Sequence, residues 1–215
     1  MKNVMKIDFV FDVSCPWCVI GLKSLEQALT RLGDEVTAEL HFQPFELNPK
    51  MGPLGQDIGE HLAEKYGATE AQTHSTREAI KARGAALGFI FNMEQRGRIY
   101  NTFDAHRLLH WAGLEGKQHA LSNALFEAYF SNGENPGDHQ VLICAAEKIG
   151  LDPIRAQAIL SSDTFAYEVR QEQEFYRQQG INSVPAIIIN ERHLISGGQP
   201  VEVFEQALRK IAADG

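Results

Sequence analysis

The order in which strand-like and helix-like patterns follow one another constrains the fold of this chain more than any other feature. Residues 6–12 (KIDFVFD) mix β-branched, aromatic and acidic side chains and predict a first strand. Apolar side chains then recur every three or four residues from Cys18 to Leu32, which predicts a helix that ends at Gly33. Residues 36–47 alternate well enough to predict a second strand, which prolines terminate. The chain therefore begins with a predicted β-α-β unit.

The middle of the chain, residues 55–179, shows almost only helical patterns, and strand patterns return after it. Residues 186–195 predict a β-hairpin, and Pro200 is well placed to begin a final helix. This order predicts an α/β domain with a four-stranded sheet, formed by residues 1–54 and 180–215 and split by an inserted helical domain. We expect the last helix of the insertion to bridge to the part that contains the sheet.

Composition narrows the class of partner. The net charge of −8 and the pI near 5.5 disfavour nucleic acid and anionic membranes, because both select basic surfaces. The N-terminal stretch has a positive start, but Asp8 and Asp12 interrupt its apolar run, so we expect a strand there and not a signal peptide. These features predict a cytoplasmic protein, and in that compartment paired cysteines are more often catalytic or metal-binding than structural.

Two of the three cysteines, Cys15 and Cys18, lie in the motif CPWC, where the first strand meets the first helix. A cysteine attacks as the thiolate, and the unpaired N–H groups at a helix start favour that anion. Pro16 suits the first turn, where its missing N–H costs nothing. Cys18 follows one turn later on the apolar face, within disulfide range of Cys15. The spacing therefore predicts Cys15 as the attacking thiol and Cys18 as the resolving thiol.

Other roles for the cysteines are less consistent with the sequence. A zinc site needs about four ligands, and no second CxxC motif exists, so we expect no metal site. Inert packing of both cysteines fits less well with a proline in the first turn and a strand before it. Cys144, in the segment VLICAAEKIG, is expected to be a buried helix residue.

A second constellation, Ser183-Val184-Pro185-Ala186, lies directly before the returning strand. Proline cannot donate a hydrogen bond to a sheet, so its position needs a reason. A cis peptide bond before Pro185 would turn the chain sharply and leave the backbone groups of Val184 free to pair with an extended substrate. A trans proline that merely begins a strand is the alternative. Together with the order of the strands, the position favours cis.

Five segments of the chain resemble DsbA-type proteins of the thioredoxin fold, and most of all the FrnE subfamily of cytosolic dithiol oxidoreductases. These segments are FDVSCPWC, PFELNP (44–49), NTFDAHRL (101–108), SVPAIIIN (183–190) and SGGQP (196–200). The resemblance spans nearly the whole chain. It implies a thioredoxin-like fold split by a helical insertion, redox-active thiols at Cys15 and Cys18, and a cis-proline at Pro185. Members of the family are credited with oxidising, reducing or isomerising disulfides.

Several further residues are candidates for the site. The side chains expected to contact substrate are Pro16, Trp17, Val184 and Pro185. Asp12 is either a proton partner of the thiols or an ordinary solvated carboxylate at the end of a strand. Three more candidates lie on a predicted helix of the insertion: Asn101, His106 and Arg107. Either they face the thiols, or they serve as helix caps and surface groups.

Three functions are open at this point. The first is thiol–disulfide oxidation or isomerisation of protein disulfides or small thiol substrates, without a bound cofactor but with glutathione as a candidate co-substrate. The second is a glutathione-dependent isomerase or transferase of the kappa or 2-hydroxychromene-2-carboxylate isomerase type. Those enzymes resemble the chain in outline but typically carry serine at the position of Cys15, and need no cysteine at that of Cys18. The third is a binding module in which the thiols are incidental. The intact dithiol favours the first.

Overall fold

The computed structural model describes residues 4–214; the positively charged start of the chain (residues 1–3) and Gly215 lie outside it. Its strands are β1 (Met5–Phe11), β2 (Ala38–Pro44), β3 (Gln56–Asp57), β4 (Arg98–Ile99), β5 (Ala186–Ile189) and β6 (His193–Ser196). Its helices are α1 (Pro16–Leu32), α2 (Ile58–Tyr66), α3 (Glu70–Ala86), α4 (Phe103–Leu114), α5 (Gln118–Phe126), α6 (His139–Lys148), α7 (Pro153–Leu160), α8 (Ala166–Gln178) and α9 (Val201–Asp214). Within residues 4–214, none of the helices is both long and apolar enough to cross a membrane.

The main sheet has four strands in the order β2-β1-β5-β6. Strands β1 and β2 run parallel, as a helical crossover between them requires, whereas β5 pairs antiparallel with both β1 and β6. Phe9, in the middle of β1, lies between Phe42 on one side and Ile187 on the other. The predicted order of β-α-β, helical block and β-β-α is therefore confirmed, and so is the α/β fold class.

The two faces of β1 are buried in different cores, because side chains alternate along a strand. Ile7, Phe9 and Phe11 belong to the large core, which also contains the inner faces of α1 and α9. Val10 belongs to a smaller core with Tyr176 of α8. The sheet is therefore covered on both sides, and the carboxyl end of β1, where the cysteine motif follows, emerges between two layers of helices.

The middle of the chain is mainly helical, as predicted, but it also contains the short antiparallel pair β3–β4. Two-residue strands are too short to show alternation, so their pattern does not distinguish them from a loop. The large core continues from the sheet into α4, α5, α6 and α7. The division into residues 1–54 and 180–215 against an insertion at 55–179 stays a prediction.

Cys144 is exposed, so the expectation that it is buried is wrong. Helix α6 buries Leu142, Ala145 and Ala146 on its inner face. At 3.6 residues per turn, Cys144 lies roughly 200° around the helix from Leu142 and therefore faces outward. The apolar character of the segment VLICAAEKIG does not by itself show which face cysteine occupies.

Candidate active site

Cys15 is the N-cap residue of α1, and Pro16 occupies the first turn, as the sequence predicts. The N–H of Cys15 donates to the carbonyl oxygen of Asp12 at 3.1 Å, and the N–H of Cys18 donates to the carbonyl oxygen of Cys15 at 3.1 Å. Cys15 is only 4% exposed. It lies at the start of the helix, where N–H groups without helical partners favour an anion.

Cys18 lies one turn further along α1 and is completely buried. Burial raises the pKa of the Cys18 thiol well above its ordinary value of 9.0, and the neighbouring Cys15 thiol raises it further. Both cysteines are free thiols. The pair is therefore asymmetric: one thiol borders a cleft and the other is enclosed in the core.

The peptide bond between Val184 and Pro185 is cis, which confirms the prediction. It brings the loop before β5 against the start of α1, where the Cys15 thiol donates to the carbonyl oxygen of Val184 at 3.6 Å. Pro185 is buried, and it lies so near α1 that a Cβ added to Gly21 would be 3.0 Å from its ring. Of the two residues, Val184 faces the cleft and Pro185 lies behind it.

A cleft of about 750 Å³ lies above Cys15. Pro16, Trp17 and Val184 line it beside the thiol, and helices α2 and α3 supply the opposite wall. The predicted contact residues Pro16, Trp17 and Val184 are thus brought together at one surface. The sheet part of the chain contributes Cys15 and the helical part contributes the opposite wall.

Asp12 is 1% exposed, so it is not a solvated strand-end carboxylate. Its two oxygens accept hydrogen bonds from the N–H groups of Ser14 at 3.1 Å and Leu47 at 2.7 Å. His106 is also buried; its Nε2 lies 3.8 Å from Asp12 Oδ1 and 3.2 Å from the carbonyl oxygen of Phe45. Burial alone raises the pKa of the Asp12 carboxyl, but interactions with His106, Leu47 and Ser14 outweigh it and lower the pKa below 3.8. Asp12 and His106 are therefore neighbours in the interior, beside the residues that precede Cys15.

The other two candidates on the insertion do not line the cleft above Cys15, and their side chains bind nearby backbone instead. Asn101 precedes α4; its Oδ1 accepts from the N–H of Phe103, and its Nδ2 donates to the carbonyl oxygen of Met51. Arg107 pairs with Asp104 and donates to carbonyl oxygens of the α7–α8 region. Consecutive helical positions lie about 100° apart, so Arg107 turns away from the face on which His106 reaches Asp12.

Several residues at the site were not predicted. Arg83 donates to the carbonyl oxygen of Gly198 at 2.6 Å, and its guanidinium lies 5.2 Å from the Trp17 ring centroid. Arg96 lines the cleft and donates to the carbonyl oxygen of Ser14 at 3.4 Å. Both come from the middle of the chain, where no sequence motif connects them with the cysteines. Only the tertiary fold reveals them.

A thioredoxin-like sheet with a CxxC sequence at its first helix and a cis-proline against the first cysteine defines a thiol–disulfide oxidoreductase. A family model described as DSBA-like thioredoxin domain matches residues 6–209, which is nearly the whole chain. The chain therefore belongs to the DSBA-like thioredoxin domain family and is a DsbA-like oxidoreductase. The resemblance is confirmed at this level, and the finer assignment to the FrnE subfamily stays a prediction.

The chain is 31% identical to a probable DsbA oxidoreductase from Streptomyces coelicolor, with a TM-score of 0.92 over 98% of this chain and 91% of that one. It is 27% identical over 198 residues to the uncharacterized protein YwbO of Bacillus subtilis, covering 92% of each. Two structures at 15% identity share the fold. They are a 2-hydroxychromene-2-carboxylate isomerase, with a TM-score of 0.73 over 97% of both chains, and the cytosolic disulfide reductase DsbM from Pseudomonas aeruginosa with GSH, with a TM-score of 0.67 over 97% of this chain and 99% of that one.

Proposed function

We propose that this protein is a cytosolic dithiol–disulfide oxidoreductase or isomerase in which Cys15 attacks and Cys18 resolves. The proposal is carried by one observation. The Cys15 thiol borders the cleft, 3.6 Å from the carbonyl oxygen of Val184, while Cys18 is fully buried behind it. A substrate in the cleft can therefore meet Cys15 but cannot meet Cys18. This order of access supports the division of roles.

The exchange takes place in two steps. The Cys15 thiolate attacks one sulfur of a substrate disulfide, so a Cys15–substrate bond forms, the substrate S–S bond breaks and one substrate thiolate leaves. Cys18 then loses its proton and attacks the Cys15 sulfur, which forms the Cys15–Cys18 disulfide and releases the second thiolate. The substrate gains two electrons, the protein dithiol loses two, and its two protons pass to solvent. The reverse sequence oxidises a substrate dithiol.

The groups around the thiol position the substrate in this scheme. The backbone of Val184 presents its carbonyl oxygen at the thiol, and an extended chain in the cleft would find hydrogen-bonding groups there. Trp17 and Pro16 offer apolar surface at the rim beside it, and Pro185 supports the loop from behind. Protein disulfides and small thiol or disulfide compounds are both substrates of this type of exchange.

Insulin reduction by a thiol reductant, with three matched cysteine variants, tests the proposal. Cys15→Ser should remove turnover, because it removes the attacking sulfur. Cys18→Ser should leave the attack but prevent release, so mixed disulfides with partners accumulate on Cys15, and mass spectrometry identifies them. Cys144→Ser, at the exposed thiol of α6, should keep full turnover. Turnover that survives Cys15→Ser would contradict the proposal.

A second candidate is a glutathione-dependent isomerase or transferase acting on small aromatic compounds. The fold likeness to a 2-hydroxychromene-2-carboxylate isomerase and the concave, partly apolar cleft favour it. In that case a rate on such a compound would saturate with glutathione and survive Cys18→Ser, because no dithiol cycle would take part. Under the first proposal, glutathione would serve instead as a co-substrate that reduces the Cys15–Cys18 disulfide.

A further inference from the structure

The active-site cleft is strongly cationic, although the chain as a whole has a net charge of −8. Four cationic side chains line it: Lys65, Arg77, Arg96 and Arg177. Among the described residues that line the cleft, Glu46 is the one acidic residue, and its carboxylate forms an ion pair with Arg170. The cleft is therefore a positive region on an acidic protein, and the Cys15 thiol is part of its lining. A fold needs no such concentration of one sign of charge, so a ligand is the better explanation.

Arg96 is the most deeply placed of these cations, at 7% exposed. Its guanidinium lies over the rings of Tyr129 and Phe130, 4.8 and 4.9 Å from their centroids. One N–H group reaches the carbonyl oxygen of Ser14, the residue before Cys15, at 3.4 Å. Its Nε is buried without a hydrogen-bond partner, and in the described part of the chain Arg96 makes no ion pair with a carboxylate.

A buried cation without a counter-ion is costly, because the interior does not replace the water that the charge has lost. The two aromatic rings and the Ser14 carbonyl compensate for part of this cost. An anion entering the cleft would supply the rest, and guanidinium binds a carboxylate more strongly than it binds a neutral acceptor. Arg96 is therefore suited to bind a negatively charged group of a ligand close to the reacting sulfur.

The shape of the cleft indicates the size of the occupant. Cys15 is 4% exposed and lies at the floor, so the flat surface of a folded protein does not reach it. The volume of about 750 Å³ lies within the usual range of small-molecule sites, which is about 300–1,000 Å³. Apolar side chains such as Ile58, Ile80 and Met93 line the space between the charged groups. The cleft therefore suits a small molecule with both apolar and anionic parts.

We propose that Arg96, with Arg77 and Arg177, binds the carboxylate of a small anionic disulfide and thereby selects it as the substrate of Cys15. This inference rests on the dithiol function proposed above and specifies its substrate class. The exchange itself is unchanged: Cys15 bonds to one substrate sulfur, the other sulfur leaves as a thiolate with its own carboxylate, and Cys18 releases the first. The guanidinium takes no part in the transfer of electrons.

Two chromogenic disulfides test this selection, 5,5′-dithiobis(2-nitrobenzoate) with a carboxylate on each ring and the neutral 4,4′-dithiodipyridine. The rate constant of the reduced protein with each is divided by that of free 2-mercaptoethanol. Arg96→Gln should lower the normalised rate with the carboxylate compound roughly 10- to 100-fold, since it removes a charge-assisted hydrogen bond. The rate with the neutral compound should change by less than about threefold. Added salt should slow only the first reaction.

Two variants keep the test decisive if Arg96→Gln weakens the fold. Arg77→Gln, on the half-buried wall, should reduce the preference by about two- to fivefold. Arg155→Gln, an exposed position on α7 outside the cleft, removes the same charge and should leave the preference unchanged. An equal loss with both disulfides, or a preference that survives both Arg96→Gln and Arg77→Gln, would overturn the inference. Failure of both compounds to oxidise the Cys15–Cys18 pair would refute the dithiol function itself.

Discussion

Asp12 is a buried acidic side chain three residues before Cys15, and its surroundings decide whether it carries a charge. Two backbone N–H groups and His106 together favour the ionised form by more than burial disfavours it. The pKa of Asp12 is therefore lower in the folded protein than in the unfolded chain. A group of this kind stabilises the fold above its unfolded pKa, and the stabilisation is lost as the pH falls through the folded pKa.

Asp12→Asn should lower the free energy of unfolding by about 1–3 kcal/mol at pH 7, because an amide cannot accept from both N–H groups as the carboxylate does. The gap between the wild type and the variant should narrow as the pH falls below the ordinary pKa of 3.8. Urea unfolding at pH 7 and at pH 3 measures the difference in the free energy of unfolding between the wild type and Asp12→Asn. Asp163→Asn, at an exposed position, is the control. A gap that is the same at both pH values would mean that folding does not lower the pKa of Asp12.

The three cysteines should differ in their rates of alkylation because they differ in burial. Cys18 is enclosed and the pKa of its thiol is raised, so little thiolate is present or reachable in the folded state. Iodoacetamide near pH 8 should therefore modify Cys15 and the exposed Cys144 first, and Cys18 only upon unfolding. Mass spectrometry of peptides over time distinguishes the three sites. Modification of Cys18 at the rate of Cys144 would show that the enclosure opens readily.

At the scale of elements, the fit of α1 against the loop between β6 and α9 positions the cysteine motif. Gly198 approaches the first turn of α1 so closely that an added Cβ would lie 2.8 Å from the carbonyl oxygen of Trp17. Arg83 of α3 also binds this loop through the carbonyl oxygen of Gly198. The segment SGGQP therefore acts as a surface against which the start of α1 is held.

Gly198→Ala should destabilise the protein by about 1–3 kcal/mol, because the backbone atoms that the new methyl group meets cannot move without shifting α1. The rate of Cys15 alkylation should change as well, since the same shift moves the thiol relative to Val184. Gly52→Ala is the matched control, as a Cβ there has nothing within 4 Å. Urea unfolding and timed alkylation of both variants provide the comparison. Equal stability of Gly198→Ala and the wild type would show that the contact is not tight.

The elements that the sequence predicts well are those with a strong period or a strong stop signal. The leucine stripe after Cys18 and the glycine at its end predict α1 to the residue at its C-terminus. Pro44 ends β2 three residues before the predicted limit at Leu47, and the N–H of Leu47 donates to Asp12 and not to a neighbouring strand. The pair β3–β4 is invisible to periodicity, since its strands are only two residues long.

The site divides in the same manner into local and distant parts. The cysteines, Pro16 and Trp17 occupy one helical turn, so local rules place them correctly. Arg96 reaches the carbonyl oxygen of Ser14, the residue before Cys15, only because the loop before β4 packs against the start of α1, and no pattern within the loop encodes that approach. Long-range contacts of this kind depend on the packing of the entire chain, which a single sequence read locally does not specify.

The whole molecule is built around a core that crosses from the sheet into the helical middle. Phe11 of β1 packs edge-on against Phe126 of α5, with ring centroids 5.7 Å apart. Phe42 of β2 stacks on His119 of α5 at 5.4 Å, and Lys23 of α1 donates to Asn123 at 2.8 Å. Separation of the two parts would expose these surfaces to water. The insertion and the sheet are therefore expected to depend on each other for stability.

This shared core predicts a single cooperative unfolding transition, and the two tryptophans allow it to be tested in each part. Trp17 lies in α1 and Trp111 in α4, so Trp111→Phe leaves a reporter beside the sheet and Trp17→Phe leaves one in the helical middle. In each variant, urea unfolding followed by fluorescence should coincide with unfolding followed by far-UV circular dichroism. The comparison is made within a variant, because the substitutions themselves alter stability. If Trp111 fluorescence and far-UV circular dichroism gave separate midpoints, the two parts would unfold independently. Each part would then keep its fold after the shared core had been disrupted.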